Sequence, residues 1–276
     1  MDTNALMTIA RQELTISLRS RWIVVFSGVF GALSLAISYF GTVTAGAAGL
    51  QGFERTAASL LSLVLYLAPL LGLMLGTLNI SRDKAANELL FAQPVSRSEI
   101  LYGRLLGLFG AMSAAMFSGF AVAASVILVQ VGSEGFLRFA ELVALSFVLA
   151  AVFLSIGGVA GLLSESRTRA FGVSLCTWFF FVMFYDLVII GLAFVLRERT
   201  ANLVIFLSLF GNPVDLARVC SLLTLGDPAI FGAAGAALLK FLGGALGSYS
   251  ALGLALAAWL IAPLLLANRI LRRVDL

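Results

Sequence analysis

The sequence predicts an all-α fold, a polytopic membrane helical bundle with about six transmembrane helices. Of the 276 residues, 61% are hydrophobic and 12% are charged, whereas an average soluble domain has about 25% charged residues. The apolar runs are about twenty residues long and apolar on every side, while a membrane β-strand has about ten residues of alternating polarity. Because every backbone N–H and C=O in a bilayer must be paired within the protein, such runs predict helices.

Each predicted span is an apolar stretch with few charges that is long enough to cross a bilayer. The stretches are residues 22–43, 57–80, 105–131, 139–163, 170–196 and 248–267. We expect them to form one transmembrane domain over residues 1–276. The Ala- and Gly-rich residues 229–248, interrupted by Lys240, would be a seventh span that puts Arg272 and Arg273 on the other side. That arrangement conflicts with the charge rule, so this segment is interpreted as an interfacial or re-entrant helix.

Lys and Arg are distributed unequally between the two sides, with twelve on the side of both termini and six on the other. Since these residues mark the cytoplasmic side, both termini are expected to be cytoplasmic in a multi-pass protein of the bacterial inner (cytoplasmic) membrane. The net charge is +4. The charges cluster at the ends of apolar runs, however, which predicts contact with membrane lipid and no nucleic-acid partner.

The first segment, residues 3–20, has the pattern of an amphipathic helix. One helical face carries Leu6, Ile9, Ala10, Leu14 and Leu18, and the other carries Thr8, Arg11, Gln12, Thr15 and Arg19. This pattern is typical of a helix that lies in the membrane interface. The alternative is a simple anchor that ends in the positive charges of Arg19 and Arg21.

The longest predicted cytoplasmic connection, residues 81–104, reads SRDKAANELLFAQPVSRSEILYGR. Residues 83–92 can form a short helix with exposed leucines, which Pro94 would end. Ser96 and Glu99 match a capping box, so the next helix should begin near Ser96 and extend about two turns before residue 105. A protruding helix pair of this kind is expected to dock a cytoplasmic partner; the alternative is an ordinary loop.

Within that connection, ELLFAQPVSRSEILYGRLLG resembles the intracellular signature of ABC-2 type transporter permeases, in which an acidic residue and paired leucines precede Pro-Val-Ser-Arg. The resemblance implies the type V permease fold and a seat for residues 88–96 in a groove of an ATPase subunit. The ATPase-coupling residues are then Arg82, Asp83, Glu88, Leu89, Leu90, Pro94, Val95, Ser96 and Arg97. This chain is expected to bind no cofactor, and ATP and Mg are expected on the partner ATPase.

Two later stretches, RTRAFGVSLCTWFFFVMFYDLVIIGLAFVL and GNPVDLARVCSLL, resemble NosY-like permeases, the membrane subunits of the NosDFY complex that matures nitrous oxide reductase. That resemblance implies a role in copper-site maturation. The partners it implies are a NosF-like cytoplasmic ABC ATPase, a second permease copy and a NosD-like periplasmic β-helical protein.

Asp186 is the acidic residue placed deep inside a predicted span, where a carboxylate costs about 2.5 kcal/mol or more. We expect it to line a polar path or to form an interhelical hydrogen bond; the alternative is a protonated carboxyl satisfied inside the bundle.

The periplasmic segment, residues 197–247, is too long for a turn. It is interpreted as a platform for a periplasmic partner or as a lid. The candidate partner-binding residues are Asn212, Pro213, Asp215 and Arg218.

Catalytic machinery is not expected in this chain. It contains no histidine, and neither Lys84 nor Lys240 lies in a Gly-rich phosphate loop. No metal site is predicted, because Met112 and Met116 at helical spacing are typical of packing. The alternative functions are a non-transporting membrane scaffold or mechanotransmission subunit, and a membrane enzyme using Asp186, which would lack a neighbouring base. The glycine pairs 72/76, 103/107 and 157/161 receive little weight, because the chain has 27 glycines.

Overall fold

The computed structural model describes residues 2–45, 50–81, 96–130, 136–196, 198–225 and 244–273. Within these residues the chain forms ten α-helices and one π-helical turn, without a β-strand. The helices are α1 (Thr3–Leu18), α2 (Arg21–Ala45), α3 (Leu50–Ile80), α4 (Arg97–Gln130), α5 (Phe136–Leu162), α6 (Arg167–Phe179), α7 (Tyr185–Val195), α8 (Glu198–Gly211), α9 (Pro213–Leu225) and α10 (Ala245–Arg273). The π-helical turn, Phe180–Phe184, joins α6 to α7.

Six helical segments of the described residues are long and apolar enough to cross a membrane, which confirms the predicted number. They are Arg21–Gly41, Arg55–Ile80, Arg97–Val129, Phe136–Leu162, Arg167–Val195 and Gly247–Arg273, here called spans 1 to 6. Span 5 consists of α6, the π turn and α7. The end of the bundle where α1 lies, and where α4 and α6 begin, is called the α1 face.

The third span begins where the sequence predicts. Ser96 caps α4: its Oγ accepts from the Glu99 N–H at 3.3 Å, and Glu99 Oε2 accepts from the Ser96 N–H at 3.1 Å. This reciprocal pair is the predicted capping box. Helix α4 therefore extends from Arg97, well before the apolar run that starts at residue 105.

The centre of the bundle is the contact between α3 and α5, where glycines let the two backbones approach closely. A Cβ added at Gly76 would lie 2.6 Å from the Leu154 carbonyl oxygen, and one at Gly161 would lie 2.9 Å from that of Thr77. Neither position has room for a larger residue. The glycine pairs 72/76 and 157/161, given little weight from sequence, are therefore the contact surface of this helix pair.

The long segment after span 5 is helical and sharply bent. Helices α8 and α9 meet at Asn212 at an angle of 104°, which makes the pair a broken span or a re-entrant loop by length and composition. One face of α9 is apolar and packs into the bundle: Leu216, Val219 and Leu223 lie in a cluster with Leu252 and Leu256 of α10. Residues 226–243 lie outside the described residues, and with them most of the predicted re-entrant segment 229–248.

Candidate functional site

The bend between α8 and α9 is held by one side chain. Asn212 is fully buried, and its Oδ1 accepts from the Val214 N–H at 3.0 Å, which caps the first turn of α9. Its Nδ2 donates to the Phe181 carbonyl at 3.0 Å and to Asp215 Oδ2 at 2.9 Å. Pro213 occupies the first helical position, where its missing N–H costs no hydrogen bond. Asn212 therefore fixes α9 both to its own bend and to the π turn of span 5.

A charged cluster lies next to this bend. Arg218 Nη1 lies 3.3 Å from Asp186 Oδ2 on span 5 and 2.9 Å from Asp215 Oδ1 on its own helix. The side chains of Asp186 and Arg218 are each 36% exposed, and that of Asp215 is 15% exposed. We call these three residues the Asp186 cluster. Its one guanidinium faces both carboxyl groups, which offsets part of the cost of placing Asp186 in a span.

A second hydrogen bond ties α8 to the same part of span 5. The Tyr185 hydroxyl donates to the Ser208 carbonyl at 2.7 Å. Between the two elements is a cavity of about 780 Å³, which Asp186, Asp215 and Arg218 line together with apolar side chains such as Ile189 and Phe194. Both arms of the bent pair are thus attached to span 5 around a cavity with one polar wall.

The structure brings together residues that the sequence treats as separate. Asp186 lines the cavity and forms an interhelical hydrogen bond, as its position in a span suggests. The sequence pattern assigns Arg218 to a periplasmic segment. Two signals indicate it as a partner for Asp186: an acidic residue in a span needs a nearby cation, and Arg218 lies three residues after Asp215 on the same helix. Partner binding by the four residues 212, 213, 215 and 218 stays a prediction, and Asn212 is internal in this conformation.

At the α1 face, the start of α4 is bonded to both ends of the chain. Glu99 Oε1 accepts from the Asp2 N–H at 2.5 Å, in addition to the capping-box bond of the same carboxylate. Ser98 Oγ donates to Asn268 Oδ1 at 2.7 Å, and Arg97 Nη1 donates to the Leu271 carbonyl at 3.4 Å. We call this meeting point of α1, α4 and α10 the α4 junction.

Helix α1 packs along α4 immediately after the junction. A Cβ at Gly107 would lie 2.5 Å from the Ala10 carbonyl oxygen, so the third glycine pair, 103/107, is also a helix contact. Arg104 Nε lies 3.4 Å from Glu13 Oε2, and Ser17 Oγ donates to the other oxygen of that carboxylate at 3.4 Å. The buried face of α1 therefore contains Glu13 and Ser17, which the apolar pattern does not mark. Location of α1 in the membrane interface stays a prediction.

The predicted coupling residues fall mainly outside the described part of the chain. Residues 82–95 are not described, and they include Arg82, Asp83, Glu88, Leu89, Leu90, Pro94 and Val95. Ser96 and Arg97 are described, and both belong to the α4 junction. Among the described residues no group of three or more His, Cys, Asp or Glu is placed to hold a metal ion.

Comparison with known proteins decides the family. The model of the ABC-2 family transporter protein matches residues 7–276. The chain belongs to the ABC-2 transporter family. Within the ABC-2 family it is 34% identical over 273 residues to a probable ABC transporter permease protein NosY of Pseudomonas aeruginosa, covering 96% of this chain and 97% of that protein. It is also 34% identical over 282 residues to a protein of the same description from Stutzerimonas stutzeri, covering 98% and 99%.

These matches confirm the resemblance that the loop and span motifs indicate. The chain is an ABC-2 permease, a multi-pass membrane protein whose sequence is similar to NosY permeases over 96–98% of its length. In this ABC-2 permease, the α4 junction lies at the α1 face, and the Asp186 cluster lies beside the bent helix pair.

Proposed function

We propose that this permease converts ATP hydrolysis by a separate cytoplasmic ATPase subunit into movement of its own helices. The α4 junction carries the proposal, because the coupling residues run directly into it. Ser96 and Glu99 at its start are bonded to each other, and Glu99 is bonded to Asp2. A displacement of the coupling segment is then transmitted to α4 and α1 together, and through Ser98 to α10.

In this scheme the α1 face is the cytoplasmic face, as the excess of Lys and Arg there predicts. Residues 88–96 seat in a groove of the ATPase, which is NosF-like and binds ATP and Mg. The permease itself binds no cofactor. ATP binding to the partner favours one of two bundle conformations, and hydrolysis returns the other.

On the opposite side, the bent pair α8–α9 passes the movement to the periplasm. Its three attachments to span 5, through Tyr185, Asn212 and Arg218, make it move with that span. Residues Asn212 to Arg218 then contact a NosD-like β-helical protein when the bend opens. Because the chain is similar to NosY permeases, we propose that the periplasmic process it drives is copper-site maturation of nitrous oxide reductase.

A second copy of the permease is proposed to cover span 5. Only 6% of its most apolar stretch of 18 residues is buried inside the structure, whereas the corresponding share is 56% for span 2 and for span 4. The large apolar side chains that it exposes include Phe184, Leu187, Val188, Phe194 and Val195. Disulfide crosslinking of Val188→Cys in native membranes tests this interface, and crosslinking no stronger than that of Leu33→Cys on span 1 would contradict it.

The central experiment separates the coupling loop from the rest of the surface. Glu88→Arg with Leu89→Asp should abolish copurification of the ATPase subunit and the stimulation of its ATPase activity. Glu141→Arg with Leu137→Asp makes the same chemical changes at exposed residues of α5, far from the α1 face, and should leave both unchanged. Unchanged copurification in the first variant would refute the proposal.

Transport and partner remodelling are distinguished by a further experiment. Vesicles containing the complex should take up a defined sulfur or copper species in the presence of ATP if the cavity is part of a transport path. If ATP changes only the binding of the periplasmic protein to the vesicles, the permease acts as a non-transporting mechanotransmission scaffold.

A further inference from the structure

A second cavity, on the lipid-facing side between α2 and α3, has a different chemistry from the Asp186 cluster. Its volume is about 520 Å³, and the first residue of α6, Arg167, closes it at the α1 face. We call it the α2–α3 groove. None of the residues assigned above to coupling or to the Asp186 cluster lines it.

Polarity changes along the groove from one end to the other. At the α1 face it is lined by Ser20, Asn79 and Arg167, and deeper into the bundle it is lined by apolar residues from Leu78 to Leu67 on α3 and from Val25 to Val29 on α2. The eleven-residue step from Leu78 to Leu67 corresponds to about 17 Å at 1.5 Å per residue. One leaflet contributes about half of a hydrocarbon core of about 30 Å. The apolar part therefore has the depth of one lipid acyl chain.

The charges at the polar end select the head group. Arg167 is exposed at the groove mouth, and Arg19 and Arg21 flank Ser20 in the chain, both exposed. Basic pockets between membrane helices attract anionic lipid head groups, and each basic residue at the surface contributes about 1 kcal/mol.

Trp22 lies at the boundary between the two parts of the groove. Its side chain lines the groove and is 60% exposed. Tryptophan is favoured at the level of the lipid head groups, because its ring is apolar and its N–H is polar. Its position marks the depth at which the head group of an occupant would meet the acyl region.

We propose that the α2–α3 groove binds one anionic phospholipid of the leaflet at the α1 face, with its phosphate at Arg167 and an acyl chain along α3 from Leu78 to Leu67. The lipid contacts α2, α3 and the first turn of span 5, so it joins three spans near the point where α3 leads into the coupling loop. This inference does not depend on the ATPase partner.

Trp22 provides a direct readout. The chain has three tryptophans, and Trp178→Phe with Trp259→Phe leaves Trp22 as the only one. In vesicles of mainly phosphatidylcholine, brominated phosphatidylglycerol should quench Trp22 with about fivefold higher apparent affinity than brominated phosphatidylcholine, since one arginine contact supplies that factor. In Arg167→Gln, the apparent affinity for brominated phosphatidylglycerol should fall to about that for brominated phosphatidylcholine.

The matched control is Arg11→Gln, which removes the same charge from an exposed position at the α1 face that does not line this groove. It should retain the preference. Equal quenching by the two lipids in the parent, or an equal loss of preference in both arginine variants, would overturn the proposal in favour of a non-specific lipid shell. If the tryptophan-depleted protein does not fold, thermal stabilisation of the wild-type chain and of the two arginine variants by each lipid decides the same question.

Discussion

Arg218 on α9 is hydrogen-bonded to Asp186 in span 5, although 32 residues separate them. The same nitrogen donates to Asp215 at 2.9 Å. One guanidinium therefore supplies the charged attachment, beside those of Tyr185 and Asn212, between the bent helix pair and a span with few buried residues. The cluster combines one guanidinium with two carboxyl groups, so its members are not equivalent, and that difference can be measured.

Replacement of Arg218 should be more damaging than replacement of Asp186. Arg218→Met leaves two carboxylates facing each other, whereas Asp186→Asn leaves a neutral Arg218–Asp215 pair. We expect a loss of about 1–3 kcal/mol for the arginine variant, with a smaller loss for Asp186→Asn, since all three groups are partly solvated. Asp186→Asn should also partly rescue Arg218→Met in a double variant. Thermal unfolding in lipid nanodiscs measures all three.

A labelling experiment locates the damage. Cys220 on α9 is buried and Cys176 is exposed, so a Cys176→Ser background makes alkylation of Cys220 a readout of α9 detachment. Labelling should accelerate in Arg218→Met. If Asp186→Asn destabilises the protein as much as Arg218→Met, the charge argument fails.

Asn212 should not be replaceable by aspartate, although aspartate caps helices equally well in peptides. Asn212→Asp keeps the acceptor for the Val214 N–H but loses the donations to Phe181 and Asp215, and it places a carboxylate beside Asp215. Asn212→Ala should cost about 1 kcal/mol or more for the lost cap, and Asn212→Asp should cost more than the alanine. Ser166→Ala, at the exposed cap of α6, is the control and should show the smallest change in thermal stability.

Gly107→Ala should displace α1 from α4. The new methyl group would lie 2.5 Å from the Ala10 carbonyl oxygen and 2.7 Å from Glu13 Cβ, and overpacking of this kind costs about 1–3 kcal/mol. Exposed Arg11 on α1 and Arg19 directly after it then become faster trypsin sites, which mass spectrometry of the released amino-terminal peptides measures. Gly28→Ala on α2 meets no atom within 4 Å and should not change the cleavage rate. Wild-type cleavage in Gly107→Ala would show that α1 adapts without separating.

The spans were predictable because bilayer thickness alone fixes the length of an apolar run. The start of α4 was predictable for a different reason: Ser96 and Glu99 are three residues apart, so the capping box is encoded locally. Neither the spans nor the capping box depends on which helices are neighbours, so both can be predicted from the sequence.

The Asp186–Arg218 pair was not predictable in the same way, because it depends on the 104° bend at Asn212. The sequence places Asn212 directly before Pro213, but nothing in that pattern indicates that α9 turns back against span 5. The apolar face predicted on α1 does pack against α4 through Ile9, Ala10 and Leu14. Hydrophobic periodicity does not mark Glu13 on the same face, whose carboxylate pairs with Arg104. Glycine pairs likewise acquire meaning only when the register of α3 and α5 is known.

Glu99→Ala should separate ATPase binding from coupling. The variant keeps every proposed docking residue before Ser96, so the ATPase subunit should still copurify. It loses the capping-box bond and the link to the Asp2 N–H, so stimulation of the ATPase by the permease should fall to near the level of the ATPase alone. Glu165→Ala, an exposed carboxylate on the same face, is the matched control and should keep wild-type stimulation. Wild-type stimulation in Glu99→Ala would exclude the α4 junction from the relay, and loss of copurification would show that Glu99 positions the docking segment instead of transmitting its movement.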